Sequence, residues 1–185
     1  DKYKTVVIDS GTELQTLDLE HTASEAWKEE QKKPVAQRRR ISVDDLWQSD
    51  YGENTAKLKR VFRWFKDAPF HTIVTALVRE TYAKKRSKDV EPKLESVTPA
   101  FTNKLCQSVM GYCDFVWYLY AAQSENGEKT RCLLTQMHGV FRAKTRGKNF
   151  AEQLGLRVEN PDLAEIYDLL LKSEGLSTTK ENDDV

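Results

Sequence analysis

A short apolar run that ends on a carboxylate constrains the fold of this chain more than any other feature. Residues 4–13 read KTVVIDSGTE, so Val6, Val7 and Ile8 are followed at once by Asp9. Consecutive β-branched residues favour a strand, and the absence of alternation predicts that the strand over residues 4–9 is fully buried, as in a parallel sheet. The stretch after it, residues 11–31, is typical of a helix.

The position of Asp9 has two interpretations. Ligands of open α/β sheets bind at the carboxyl ends of the strands, and a carboxylate there can hold Mg²⁺ through water. The plainer interpretation is that Asp9 caps the helix that follows.

The remaining pattern predicts strands and helices in alternation along the first half of the chain. A capping-type start at Ser42 precedes apolar residues at helical spacing over 54–67, and Ala68–Pro69 ends that helix. The run FHTIVTALV, residues 70–78, predicts a second buried strand. A polar, lysine-rich stretch of about twenty residues then predicts a functional or mobile loop.

The second half of the chain predicts a short helix near 102–110, a β-hairpin and a terminal helix. The hairpin strands lie in DFVWYLYAA and RCLLTQM, with Asn126–Gly127 as the turn signal. In the terminal helix Asn160 is expected as the cap and Pro161 as the first residue.

These elements together predict an α/β fold with a parallel sheet extended by antiparallel strands, hence a mixed sheet flanked by helices. We expect one domain over residues 1–175 and an acidic disordered tail over 176–185.

Composition narrows the possible functions. The 185 residues carry zero net charge and 31% charged side chains, and no apolar run reaches the length of a membrane span, which predicts a cytoplasmic protein without a membrane partner. His21, His71 and His138 are scattered, so a His-based metal site is not expected. The three cysteines form no CxxC pair, which suits a reducing compartment, and we expect them to be small core residues.

Four segments in this order carry a family resemblance: TVVIDSGTEL, HTIVTALVRE, GYCDFVWYLY and FRAKTRGKNF. Together they resemble the RecA-like ATPase core, and more closely the phage AAA-type ATPases that act beside single-strand annealing proteins. The resemblance implies ATP and Mg²⁺ as cofactors and action on single-stranded DNA in phage-type recombination, annealing or replication. It also implies a homo-oligomeric ring or filament, an annealing or binding protein as partner, and the cytoplasm of a bacterial host.

The resemblance implies roles for individual residues. Asp9 matches the Walker B acid that holds Mg²⁺ through water, and Ser10 and Thr12 would order the waters of the metal. Thr75 matches the residue that senses the γ-phosphate, although an ordinary strand threonine is an equal alternative. Lys144 and Arg146 match a basic pair that reaches the nucleotide of a neighbouring subunit, and a solvated basic turn is the alternative.

One motif of the family is absent from these residues. No G-x₄-G-K-[ST] phosphate loop occurs in the sequence. We expect that loop, its strand and the catalytic glutamate to precede Asp1, with Glu13 a poor substitute base. On this expectation the chain is the second half of an ATPase core, which binds nucleotide weakly and hydrolyses little by itself.

Two basic segments are candidate contacts for DNA, since cations track phosphates without reading sequence. They contain Arg38, Arg39 and Arg40 in the first segment, and Lys84, Lys85, Arg86 and Lys88 in the second. Simple solvated loops are the alternative. Two other functions stay open: a non-catalytic nucleic-acid-binding module that keeps the fold without a phosphate loop, and another branch of the superfamily, such as a replicative helicase or a circadian-type ATPase.

Overall fold

The computed structural model describes residues 4–83, 91–123 and 127–175. The helices are α1 (Gly11–Gln31), α2 (Gln48–Asp67), α3 (Asn103–Tyr112), α4 (Lys148–Leu154) and α5 (Leu163–Ser173). The strands are β1 (Thr5–Ile8), β2 (His71–Val74), β3 (Val78–Tyr82), β4 (Leu94–Pro99), β5 (Phe115–Val116), β6 (Tyr118–Gln123), β7 (Lys129–Leu134), β8 (Lys144–Thr145) and β9 (Arg157–Glu159). This is the expected α/β class, but the described strands form four small sheets instead of the single mixed sheet that the sequence predicted.

The chain divides into two compact units. Unit 1 contains residues Asp1–Glu80 and Thr98–Cys113, and unit 2 contains Thr81–Val97 and Asp114–Val185.

In unit 1 a parallel strand pair packs with helices. Strands β1 and β2 run parallel, with Ile8 opposite Val74 at their carboxyl ends. The core of this unit contains residues from α2 and α3 together with Phe101, and Val74 packs against it. The βαβ order and parallel pairing of the first half are therefore confirmed.

The expectation that the first strand is fully buried is wrong. Val7 is 58% exposed, and its register partner Ile73 is also exposed. Side chains alternate along a strand, so one face of the pair, which includes Val74, meets the core, and the opposite face is open to solvent in the described chain. The apolar run therefore predicted a strand correctly but not its burial.

Helix α2 begins later than the Ser42 signal suggests. Residues 42–45 form a turn in which the Asp45 amide donates to the Ser42 carbonyl oxygen at 3.3 Å. Trp47 is the cap residue, and the Asp50 carboxylate accepts its amide hydrogen at 2.8 Å. The predicted end before Ala68–Pro69 is confirmed.

The predicted strand 70–78 and the long loop after it differ from the structure. The strand ends at Val74, and Val78 begins β3, which pairs with β4 in a two-stranded sheet. The polar stretch therefore includes regular β structure, because backbone amides of polar residues pair as well as those of apolar ones. Residues 84–90 of this stretch lie outside the described residues.

Unit 2 contains the predicted hairpin. Strands β6 and β7 pair antiparallel, and β7 also pairs with β9; β5 and β8 form a separate antiparallel pair. Leu133, Phe150, Leu154 and Ile166 form the core beneath them. The cap of α5 is Asp162 rather than Asn160, since the Asp162 carboxylate accepts from the amides of Ala164 and Glu165.

Candidate functional site

The carboxyl ends of β1 and β2 bring two polar side chains together. Asp9 follows β1 and Thr75 follows β2, one position beyond the Ile8–Val74 register pair. The Thr75 hydroxyl donates to Asp9 Oδ1 at 2.5 Å. Both residues are exposed, on the open face that also carries Val7 and Ile73. The two candidates at positions 9 and 75 are thus in direct contact.

Backbone hydrogen bonds fix this contact. The Thr75 amide donates to the Ile8 carbonyl oxygen at 3.0 Å, and the Gly11 amide donates to the Thr75 carbonyl oxygen at 2.8 Å. Gly11 is buried, and a Cβ there would lie 2.8 Å from Cγ1 of Val74 and 2.9 Å from Cζ of Phe101. Only glycine lets the start of α1 approach β2 this closely.

The hydroxyls of Ser10 and Thr12 are engaged with the backbone. Ser10 is the cap of α1 and accepts the Glu13 amide hydrogen at 3.3 Å. Thr12 accepts the Leu77 amide hydrogen at 3.1 Å, which ties the first turn of α1 to the chain leaving β2. Because Ser10 supplies the cap, capping does not explain Asp9.

The donor set fits a hydrated magnesium ion. Asp9 offers a carboxylate and Thr75 a hydroxyl oxygen, both hard ligands. Within the described residues no three His, Cys, Asp or Glu side chains form a metal-binding group. One carboxylate beside solvent suits Mg²⁺, which keeps several waters and takes its other ligands from phosphates. Asp9 would hold the ion, and Thr75 would lie beside it.

A groove that the sequence did not reveal lies next to this site in unit 1. Its volume is about 390 Å³, and its lining includes Thr12, Thr16, Leu46, Arg79 and Phe101. The Arg79 guanidinium donates to the Phe101 carbonyl oxygen at 2.6 Å. A groove forms where residues distant in sequence come together, so no local sequence pattern predicts it.

The three arginines of the first basic segment have different surroundings. The Arg38 side chain donates to the carbonyl oxygens of Lys33 and Gln31 near the end of α1. Arg39 is exposed. Arg40 is buried, contacts both carboxylate oxygens of Asp50 at 2.5 and 2.7 Å, and lies over the Trp47 ring.

The contact with Arg40 affects the pKa of Asp50. Burial raises the pKa of Asp50, whereas hydrogen bonds from Arg40 and from the Trp47 amide lower it, and the net pKa lies below its ordinary value. A nucleic-acid phosphate would have to displace Asp50 to reach Arg40. The other predicted DNA contacts, Lys84, Lys85, Arg86 and Lys88, lie outside the described residues.

The predicted basic pair lies in unit 2. Lys144 is in β8, opposite Val116, and Arg146 follows this strand. The Arg146 guanidinium pairs with Asp114 at 2.6 Å, and both side chains are more than half exposed. An ion pair this open to solvent contributes little stability, so it can exchange partners at low cost.

The parallel strand pair places Asp9 and Thr75 at the edge where open α/β sheets bind their ligands. A family profile described as AAA domain matches residues 1–147. The chain belongs to this family, the P-loop ATPases of AAA type. Comparison with curated proteins and with solved structures gave no significant match. In the described part of the chain, no helix is long and apolar enough to cross a membrane.

Proposed function

We propose that this chain is part of an ATP-binding and ATP-hydrolysing protein that acts on single-stranded DNA in phage-type recombination, annealing or replication. The observation that carries the ATPase proposal is the Asp9–Thr75 contact at the carboxyl ends of two adjacent parallel strands. That edge is where open α/β sheets bind nucleotides.

Asp9 and Thr75 have complementary roles in this proposal. Asp9 would accept hydrogen bonds from the waters of a bound Mg²⁺, an ion that neutralises phosphate charge when bound. The Thr75 hydroxyl has one hydrogen to donate, now given to Asp9. If a phosphate oxygen accepts that hydrogen instead, the Thr75–Asp9 hydrogen bond breaks. The chain from Thr75 through Leu77 to β3 would then respond to the presence of the phosphate.

Ser10 and Thr12 support this pair through the backbone rather than by direct contact with the metal. Their hydroxyl oxygens already accept amide hydrogens. Each retains a hydrogen that can be donated to a water. They would therefore order the waters around Asp9 while they hold the first turn of α1.

Two further parts complete the proposed site. Since these residues contain no G-x₄-G-K-[ST] motif, protein outside them would supply the loop that grips the phosphates. Lys144 and Arg146 would reach the nucleotide of a neighbouring subunit in a ring or filament, with Arg146 exchanging Asp114 for a phosphate. A positive charge against the transferring phosphoryl group can accelerate hydrolysis by orders of magnitude.

The DNA part of the proposal is supported by exposed cations. The exposed Arg38 and Arg39 follow α1, and the basic residues 84–88, outside the described residues, form a second cationic segment of the sequence. A single-strand annealing or binding protein is the proposed partner on the same DNA.

Substitutions at positions 9 and 75 test the ATPase proposal in the complete gene product. Asp9→Asn keeps the shape and removes the charge, so we expect ATP hydrolysis to fall at least about tenfold while the fold is kept. Thr75→Val should lower the rate of hydrolysis, whereas Thr75→Ser, which keeps the hydroxyl, should retain much of the native rate. Glu29→Gln, an exposed charge change near the other end of α1, is the matched control. Normal turnover by Asp9→Asn would refute the proposal.

The basic segment with the exposed Arg38 and Arg39 favours one alternative, a nucleic-acid-binding module that keeps the fold without a phosphate loop and without catalysis. It predicts salt-dependent binding of single-stranded DNA that does not respond to ATP and Mg²⁺. Fluorescence anisotropy with a labelled oligonucleotide, with and without ATP and Mg²⁺, distinguishes the two functions. A change in affinity on adding ATP and Mg²⁺ favours the ATPase.

A further inference from the structure

The outer surface of α2 combines cations with an exposed aromatic ring. We define the α2 outer face as Lys59, Arg60, Arg63 and Trp64. Arg60 and Trp64 are four residues apart, as are Lys59 and Arg63, so these side chains are neighbours on one side of the helix. The opposite side of the helix carries Leu58 and Phe62, which are buried in the core of unit 1.

The aromatic ring on this face is exposed, and two neighbouring rings pack against it. Trp64 is 61% exposed, far more than is usual for the largest apolar side chain. Edge contacts with the rings of Phe65 and Phe70 hold it, at centroid distances of 5.1 and 6.0 Å. A fixed indole loses little conformational entropy when a second ring stacks on it.

One cation of the face is also held in place. The Arg63 guanidinium lies 5.6 Å from the centroid of the Tyr112 ring and donates to the Tyr112 hydroxyl at 3.4 Å. Arg60, between Arg63 and Trp64 on the helix surface, is exposed. The acids at either end of the face have cationic neighbours outside it: Glu53 pairs with Lys57, and Asp67 pairs with Lys66.

We infer that the α2 outer face binds single-stranded nucleic acid, with a base stacked on Trp64 and phosphates against Arg60, Arg63 and Lys59. Positive charge paired with an exposed aromatic ring is the arrangement by which proteins bind single strands without reading sequence. Three cations beside an exposed aromatic ring match a polyanion that carries bases, and the acid that follows them on the helix surface, Asp67, is paired with Lys66. The residues of the α2 outer face belong to neither of the two basic segments of the sequence. The inference deepens the proposed function and rests on its single-strand part.

Binding of a labelled oligo(dT) to the chain without ATP or Mg²⁺ tests the inference. Trp64→Ala should weaken binding by about tenfold, and Trp64→Phe should restore much of the loss, because stacking needs only an aromatic face. The double variant Arg60→Ala/Arg63→Ala should reduce the slope of log affinity against log salt by about 1.4, or about 0.7 for each phosphate contact. The control Lys28→Ala/Lys104→Ala removes the same charge from exposed positions on α1 and α3 and should change the slope much less.

Intrinsic fluorescence gives a second readout. Oligo(dT) should quench tryptophan emission in the native chain and in Trp27→Phe, and this quenching should be lost in Trp64→Phe although binding persists. Circular dichroism confirms that the variants fold.

Several outcomes would overturn the inference. If the α2 variants bind as tightly as the native chain, only this surface is refuted and the proposed function stands. If the native chain binds no single strand at all, the inference and the single-strand part of the proposed function both fail, while the ATPase part is decided by the Asp9 and Thr75 variants. Equal affinity for a duplex would refute base stacking, and a changed oligomeric state with unchanged DNA affinity would show that the face contacts a second copy instead.

Discussion

At the residue scale, Arg40 shows how a basic run can supply a structural residue. Its neighbours Arg38 and Arg39 are exposed, whereas the Arg40 guanidinium is buried against Asp50 and Trp47. It also donates to the Asp45 carbonyl oxygen at 2.9 Å. Arg40 therefore joins the segment before α2 to the first turn of that helix.

Removal of Arg40 should destabilise the chain strongly. Arg40→Ala leaves the Asp50 carboxylate buried without its partner, and both side chains are only 4% exposed. We expect the free energy of unfolding to fall by about 3 kcal/mol or more. Urea denaturation measures this, with the exposed Arg39→Ala as control, which should change it by less than about 0.5 kcal/mol. Equal effects of the two substitutions would contradict the role of Arg40.

The same pair predicts a pH dependence. The pKa of Asp50 is lowered on folding, so its contribution to stability is complete above the ordinary aspartate pKa of about 3.9 and is lost as the pH falls through the folded value. In Arg40→Ala, protonation of Asp50 relieves an unpaired buried charge. The difference in unfolding free energy between the native chain and Arg40→Ala should therefore shrink between pH 6 and pH 3. A difference that is constant over this range would show that the lost packing on Trp47 dominates.

At the element scale, two helical glycines should respond to alanine in opposite directions. A Cβ at Gly11 would lie under 3 Å from Val74 and Phe101, so Gly11→Ala should cost about 1–3 kcal/mol. Gly52 lies within α2 with no atom within 4 Å of such a Cβ, so Gly52→Ala should stabilise by about 0.5–1 kcal/mol. Thermal unfolding of both variants checks this, and a stabilising Gly11→Ala would refute the close approach of α1 to β2.

Element boundaries show where sequence patterns work and where they fail. The 11–31 helix is confirmed at both ends, because Ser10 before it and Pro34 after it act locally. Ser42 resembles a cap, yet the helix begins at Gln48, because the buried Arg40–Asp50 pair fixes the chain before it. Local signals compete, and tertiary contacts between distant residues select among them.

At the scale of the whole molecule, the open face of the β1–β2 pair should promote association. The chain carries no net charge near pH 7, so little electrostatic repulsion opposes contact between copies. Val7→Lys places a charge on this exposed face and should reduce light scattering in concentrated solution, with the unfolding free energy changed by less than about 0.5 kcal/mol.

A substitution on the other face of the same strand provides the control. Val6 points to the face of β1 that lies toward the core, so Val6→Lys should destabilise the chain by burying a charge. Equal destabilisation by Val7→Lys and Val6→Lys would contradict the exposure of Val7.

The sequence by itself determined the α/β class, the parallel order of the first two strands and the placement of Asp9 at the end of a strand. These depend on periodicity and on short-range signals, which a single sequence contains. Tertiary structure alone decided that Thr75 donates to Asp9, that Arg40 is buried while Arg39 is not, and that Trp64 is exposed. Those outcomes depend on which distant residues meet, and the free energy of a side chain is set by neighbours that local sequence does not specify.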